Sequence, residues 1–491
     1  MFTPLLDVLI VFTLTTPLVS LIGKRIGHKK IFTEAYTICS FSSALILLLI
    51  LHPELLNKFE ISVMYGCSTP SPEKICMKVD TLSIFMTIIF LIIGIASSIF
   101  SIYEIGREDV TGYYTALTGM VTAMVGVVSS DDLFTLFIFW EIMCICSYAL
   151  VAFRKEQWES IEASYKYLIM SSAGSITILF ALSLLYGLAG TLNMQYLSIS
   201  LAEAKEEPLQ YVALVMLIVG FGLQAGMFPF HTWLPDAHMA APSPISAILS
   251  GIMVKTGVYG LIKILLTIYI PLYESWHIIL AAFAISTMFV GNFSALLQDD
   301  IKRLLAFSTI ANIGYIILGI SINSETAITG SLFHALNHAV IKALLFLCTG
   351  TFIHKTGTRS LKDLAGIRRR MPITTTIFLI GILSLSSIPP LNLFWSELLT
   401  VTAGVEAGMP ILSFLMIINM IFSAAYCLRI IQTVAIKEET PVSRKAEEAS
   451  IMALTPTIML CSLALLIGFY PSPFQTFAQN AAQTIIKLMR E

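Results

Sequence analysis

Ionisable side chains that fall within or at the edges of long apolar runs include Glu141, Lys166, Lys255, His334, His338, Lys342 and Glu397. A charge at the centre of a membrane span costs about 2.5–3.5 kcal/mol even on a lenient insertion scale, so such residues usually face a cavity or a partner. His334, His338 and Lys342 recur every fourth residue and line one helical face. Imidazole titrates near neutral pH, which suits two in series beside a lysine to passing protons. Zinc is the rival for the two histidines, but the run lacks the Glu of H-E-x-x-H and any evident third ligand. Lys255 lies deep in an apolar run, too far from either edge to reach an interface. Lys263 is near enough to the end of the same run to snorkel.

Glu141, within Phe-Trp-Glu-Ile-Met, reads as a proton-exchanging carboxylate or a lysine's counter-charge, with a structural hydrogen-bonder between helices as the alternative. Lys166 lies one turn after Glu162, so an ordinary surface pair accounts for it as well as a functional role does. Glu397, in Asn392-Leu-Phe-Trp-Ser-Glu, is either a proton exit, a lysine partner or a residue at the membrane surface. A Glu and a Lys about 4 Å apart interact by ~4 kcal/mol at an effective dielectric near 20, equivalent to about 3 pKa units. Moving one against the other switches a carboxylate between loaded and empty near neutral pH, which is a workable pump element.

Such groups need hydrocarbon-spanning elements to hold them. Of 491 residues, 56% are hydrophobic and 12% charged, and the mean hydropathy is +0.84, so most of the chain is buried in lipid rather than in a soluble core. At about 20 apolar residues per crossing, the chain reads as an all-α polytopic membrane protein of about fourteen transmembrane helices. The first run lacks a basic n-region and a small-residue cleavage site and is followed by Lys24, Arg25, Lys29 and Lys30, so it is expected to be retained. Eighteen Lys and Arg lie in the odd-numbered loops against four in the even ones; the positive-inside rule then places both termini on the outer side of the cell membrane. A net charge of −2 offers no footing for nucleic acid. Alternating stretches at Phe59–Tyr65 and Ile75–Val79 predict an outer β-hairpin. Cys67 and Cys76 flank its turn on the oxidising side, where a disulfide and two free thiols are equally open readings.

Gly220, Gly222, Gly226 and Pro229 interrupt the seventh span, and Ser386-Ser387-Ile388-Pro389-Pro390 the twelfth. Breaks in membrane helices free backbone groups that lipid cannot satisfy and mark ion or substrate sites. Their five-span separation predicts two inverted five-helix repeats, with independent kinks as the alternative. The expected organisation is 1–110 (spans 1–3 with the hairpin), 111–270 and 275–432 (the repeats, spans 4–8 and 9–13), and 433–491 (a cytoplasmic loop, the last span and a C-terminal tail).

Phe-Pro-Phe-His-Thr-Trp-Leu-Pro-Asp-Ala-His (228–238) with Ala-Pro-Ser-Pro (241–244), Asp-Ile-Lys-Arg-Leu-Leu-Ala-Phe-Ser-Thr-Ile-Ala-Asn-Ile-Gly-Tyr (300–315) and His-Ala-Leu-Asn-His-Ala-Val-Ile-Lys-Ala-Leu-Leu-Phe (334–346) resemble the antiporter-like subunits of respiratory complex I and of Mrp cation/proton antiporters. The resemblance covers nearly the whole chain and points to the shorter M/N-type or Mrp D-type subunits, leaning to the Mrp and membrane-bound hydrogenase branch through residues 131–141. It implies that Glu141 is the fifth-span glutamate, Lys166 the sixth-span lysine and Lys255 the central eighth-span lysine. His334, His338 and Lys342 are then the eleventh-span relay, and Glu397 the twelfth-span exit residue. Two positions depart: Gln224 stands where the family usually has a seventh-span lysine paired with the glutamate, and Leu393 where it tends to have Gly. Glutamine orients water and donates hydrogen bonds but holds no proton as charge, leaving Lys166 as the only obvious substitute partner for Glu141.

The leading expectation is a subunit of a complex-I-related assembly that moves H+, or exchanges it for Na+, while a peripheral redox module in other subunits transfers electrons. With no Cys cluster, Rossmann fingerprint or P-loop, the chain is expected to carry no cofactor, metal or redox centre of its own. A non-pumping spacer subunit, suggested by Gln224, and a stand-alone secondary transporter are the competing expectations.

Overall fold

The computed structural model describes residues 3–51, 63–65, 76–106, 110–203 and 207–490. Helices α1 (Pro4–Arg25) and α2 (Lys29–Leu51) precede strands β1 (Val63–Tyr65) and β2 (Met77–Val79), which pair antiparallel with Met64 opposite Lys78. The expected hairpin is present in these residues, and Cys76 is disulfide-bonded. Cys67, its expected partner, lies outside the described residues. Next come α3 (Thr81–Glu104), α4 (Val110–Val128), α5 (Leu133–Val151), α6 (Trp158–Ala189), the short α7 (Met194–Glu203), α8 (Pro208–Ala225) and α9 (Trp233–Ala240). Then follow α10 (Ser243–Ile268), α11 (Tyr273–Leu297), α12 (Ile301–Ile322), α13 (Glu325–Thr356), α14 (Pro372–Leu385), α15 (Asn392–Glu406), α16 (Pro410–Ile431), α17 (Ile451–Phe469) and α18 (Ser472–Arg490).

Side-chain caps start several of these helices by satisfying the free N–H groups of the first turn: Thr3, Asp80, Asp132, Asp300 and Ser324 each accept from the backbone N–H three residues on. Left-handed Gly190, Gly226 and Gly357 end α6, α8 and α13.

Among the described residues, twelve helical segments are long and apolar enough to cross a membrane, and the chain is an all-α multi-pass membrane protein. The expected fourteen counts two further positions. One is α4, whose hydropathy is tempered by its Thr, Tyr and Gly residues; the other is the pair α14 and α15, of 14 and 15 residues, each too short to cross alone. Both expected breaks are present, after Ala225 and after Leu385.

Burial sorts the helices. The central stretch of α10 is 100% buried and those of α12 and α13 94%, against 28% for α1 and 33% for α2 and α16. A helix that is apolar and enclosed all round belongs to the middle of a bundle, so α10, α12 and α13 are where polar side chains can meet away from lipid. The C-terminal tail is helical: Ala478, Ala481, Ala482 and Ile485 form one buried stripe of α18, which packs on α13 and α3.

Candidate functional site

The middle of the bundle holds a contact between α10 and α13. Lys255, 1% exposed, donates from Nζ to the Ser250 carbonyl and to His338 Nδ1, each at 2.7 Å. The local fold explains the first of these bonds. Leu249–Met253 is a π-helical turn, which departs from the ordinary hydrogen-bond ladder and turns a carbonyl toward the lysine.

The predicted stripe of α13 is buried throughout, and its members point to different partners. His338 faces Lys255 and has no second partner for Nε2. His334, its ring 6.0 Å from that of His338 and nearly parallel to it, contacts Ser396 Oγ through Nδ1 at 3.1 Å and Asn312 Oδ1 through Nε2 at 3.0 Å. Lys342 donates to the Leu305 carbonyl at 3.1 Å and to the Ser308 hydroxyl. Asn312 in turn donates to the Ser308 carbonyl at 2.8 Å.

Ser396 can serve His334 in either protonation state. Its hydroxyl also lies 2.9 Å from the Leu393 carbonyl, so it donates to a neutral imidazole, or accepts from a protonated one while donating to that carbonyl. Glu397, the next residue, is 1% exposed and its Oε2 has no hydrogen-bond partner. The α10, α12, α13 and α15 helices thus bring together two lysines, two histidines and a carboxylate, linked or separated by neutral hydroxyl and amide groups.

The surroundings of α5, α6 and α8 are different. Gln224, in the last turn of α8, accepts from Ser171 Oγ and donates to Tyr167 OH, both at 3.0 Å. Tyr167 is stacked on Trp233 at 4.1 Å and is 2.9 Å from Ser147 Oγ. Gln224 is thus part of a neutral hydroxyl and amide network. Glu141 is partly exposed on α5, and its buried Oε1 has no hydrogen-bond partner. Lys166, the expected substitute partner of Glu141, has a half-exposed side chain that pairs with Glu162 at 2.8 Å and Asp236 at 3.2 Å.

The crossover from α8 to α10 is pinned along its length. Asp236 binds Lys166 and, at 3.1 Å, Arg303; Arg359 donates to the Met239 carbonyl at 3.1 Å and Lys302 to that of Ala241 at 2.8 Å. Glu104, ending α3, accepts from the Ser243 N–H at 3.0 Å and from Arg154 at 2.7 Å.

Several of these residues escape sequence reasoning. His238 is fully buried against Phe346, its ring centre 4.7 Å away, with neither ring nitrogen partnered. Ser308 and Asn312 carried a usable signal, two polar residues one turn apart in an apolar run. Lys263 is a correction: instead of snorkelling, it is buried and paired with Asp80 at 3.5 Å, because α10 runs on past it to Ile268, where α7 and α18 pack, and Asp80 at the start of α3 meets it.

A model of the family described as NADH:quinone oxidoreductase/Mrp antiporter, TM, matches residues 130–423. F(420)H(2) dehydrogenase subunit N of Methanosarcina mazei is 29% identical over 422 residues, covering 84% of this chain and 85% of that protein. NADH-quinone oxidoreductase subunit N of Desulforudis audaxviator is 31% identical over 389 residues, 78% of this chain and 77% of that protein. A Na(+)/H(+) antiporter subunit of Alkalihalophilus pseudofirmus is 31% identical over 83% of this chain, which spans 54% of that longer protein. Among solved structures, a chain of the membrane-bound sulfane sulfur reductase, an archaeal respiratory membrane complex, superposes with a TM-score of 0.89 at 26% identity, covering 99% of this chain and 98% of that one. A chain of the Mrp complex from a Dietzia species shares the fold, with a TM-score of 0.87 at 20% identity over 99% of this chain and 100% of that one.

Proposed function

Because this chain belongs to the NADH:quinone oxidoreductase/Mrp antiporter transmembrane family, we propose that it is an ion-translocating membrane subunit of a complex-I-related assembly, moving H+, or H+ against Na+, across the plasma membrane. Electron transfer belongs to a peripheral module in partner subunits. Both termini lie on the outer side, residues 111–270 and 275–432 are inverted repeats, and α14 with α15 forms one broken crossing. The observation that carries this reading is the buried contact of Lys255 with His338, 2.7 Å long and continued through His334 toward Glu397. Two basic groups in contact do not readily both hold a proton, so a proton arriving at one favours its onward passage from the other.

A membrane partner is supported by Glu141. Its helix exposes Phe134, Ile138, Ile142 and Ile145, an apolar face interrupted by a carboxylate, which suits a neighbouring subunit that supplies a donor better than it suits lipid.

The test is proton uptake into inverted membrane vesicles, driven by the assembly's own electron transfer, with the electron-transfer rate recorded in parallel. A lower proton-to-electron ratio in an assembled Lys255→Ala complex is the expected result; an unchanged ratio refutes the reading. Gln224 favours a second one, a spacer subunit, since its bonds to Ser171 and Tyr167 leave the first half without an ion pair at this position. An unchanged ratio supports that alternative.

A further inference from the structure

Between two π-helical turns, Leu249–Met253 and Ile264–Ile268, α10 is a regular helix from Val254 to Lys263. Lys255, Tyr259 and Lys263 recur along it at four-residue spacing and so share one face. At ~1.5 Å per residue, the two lysine backbones stand about 12 Å apart along the axis. All three side chains are enclosed, at 1%, 1% and 7% exposure.

The inner end of this face is the Lys255–His338 contact. Its outer end lies under the hairpin, where Lys263 Nζ is 3.5 Å from Asp80 Oδ2 and 5.7 Å from the centre of the Tyr259 ring. The Tyr259 hydroxyl donates to the Val128 carbonyl at 2.8 Å. Val128 ends α4, and just beyond it Asp131 accepts from Asn193 Nδ2 at 3.0 Å. A clamp holding the hairpin down would account for Lys263 and Asp80. It gives no reason for a phenol and a second lysine on the same face, leading back to the middle of the bundle.

We propose that this face is an outward branch of the relay, running Lys255, Tyr259, Lys263, Asp131, and that it discharges protons on the hairpin side. The proposal rests on the reading of Lys255 as a proton carrier. Lys263 passes a proton on as it takes one up from the Lys255 side, so that it stays paired with Asp80; the Asp131 carboxylate takes the outgoing proton to become the acid, and the acid releases it to the outer solvent. Water carries the steps that the side chains do not span.

Asp80 is the fixed counter-charge. Burial alone would raise its carboxyl, but Lys263, Lys78 and the bonds from Ser83 outweigh burial and hold it below its ordinary range. Asp131 is pushed the other way: burial raises it, against the pull of Lys78, Asn193 and Lys263 and with the push of neighbouring Asp132. Among the described residues Asp80 is tied to Lys263 in an ion pair, whereas Asp131 is held by the neutral amide of Asn193 and forms no ion pair, which leaves it as the carboxylate to exchange a proton.

The experiment is the vesicle assay, with Lys255→Ala as the reference. Joint replacement by Lys263→Met and Asp80→Asn removes the pair without stranding a buried charge, and Asp131→Asn removes the acceptor but keeps its bond to Asn193. The expected result is that the joint variant falls to the proton-to-electron ratio of Lys255→Ala, and that Asp131→Asn displaces the pH profile of proton uptake, which a clamp would leave in place. If Lys255→Ala lowers the ratio while the joint variant and Asp131→Asn match the parent, the outward branch is refuted and the reading of Lys255 stands. If Lys255→Ala itself is without effect, that reading fails and takes the branch with it. Should the joint variant not assemble, Tyr259→Phe deletes only the hydroxyl: a reduced ratio supports the branch, and a parental one overturns it.

Discussion

Lys255 and His338 share a hydrogen bond of 2.7 Å, and neither forms an ion pair among the described residues. The ammonium is held by a carbonyl and an imidazole alone. His338→Gln keeps an acceptor for Lys255 but removes the ring that relays between its two nitrogens. Assembly is expected to survive with a lowered proton-to-electron ratio, measured in vesicles. His338→Leu leaves Lys255 one acceptor short; a thermal melt in detergent should report a loss of about 1–3 kcal/mol, the cost of an unmade buried hydrogen bond.

Gln224 sits between Ser171 and Tyr167 with both ends of its amide engaged. Leucine at this position fills similar space and satisfies neither partner. Gln224→Leu should destabilise the protein by about 1–3 kcal/mol, chiefly by taking the oxygen acceptor from Ser171 Oγ while Tyr167 keeps Ser147, seen as a lower Tm. A Tm equal to that of the parent would mean that the Ser171 hydroxyl finds a new acceptor within the chain.

What the sequence makes legible follows from periodicity. His334, His338 and Lys342 are readable as one face because four-residue spacing maps directly onto a helix, and the breaks near Gly226 and Pro389 are readable because glycine and proline act on their own backbone. Contacts between distant segments leave no such trace. Asp80 meets Lys263 across 183 positions, and His334 meets Ser396 across 62. Spacing alone also left Lys166 ambiguous between a surface pair and a partner for Glu141, and only the fold brings Asp236 to it. The α18 stripe is readable in principle, but alanines at helical spacing in a polar stretch look like a tail until a groove on α13 and α3 receives them.

Lys166→Ala removes two pairs whose groups are partly in water, with Glu162 and Asp236. Exposed ion pairs are each worth about 0–1 kcal/mol, and Asp236 keeps Arg303. A small change in Tm and a ratio well above that of Lys255→Ala are expected. A ratio as low as that of Lys255→Ala would return Lys166 to the relay.

Gly257 fixes how closely α10 approaches the end of α8. A Cβ there would lie 2.7 Å from the Ala225 N–H nitrogen and 3.0 Å from the Phe221 carbonyl, both backbone atoms that cannot swing aside. Gly257→Ala should therefore push α10 outward, at the cost of about 1–3 kcal/mol typical of overpacking. The displacement falls between Gln224 and Lys255, so the ratio is expected to drop along with Tm. Unchanged Tm would show that the two helices separate without strain.

Asp131 ties function to stability with a sign that can be worked out. Burial raises its carboxyl above the unfolded value of about 3.9. A group whose pKa is higher in the folded state contributes stability that is fully present below the unfolded value and is lost as pH rises through the folded one. Once ionised, the parent therefore holds a carboxylate that folding disfavours, while Asp131→Asn holds a neutral amide that still accepts from Asn193. Melts from about pH 4 upward should show the variant gaining on the parent as pH rises, with the gain levelling off once Asp131 is ionised in the folded state. A difference in Tm that stays constant across that range, or a variant that loses ground as pH rises, would show that the charge on Asp131 is fully compensated by Lys78 and Lys263, and would leave it without the proton affinity that an acceptor on the hairpin side requires.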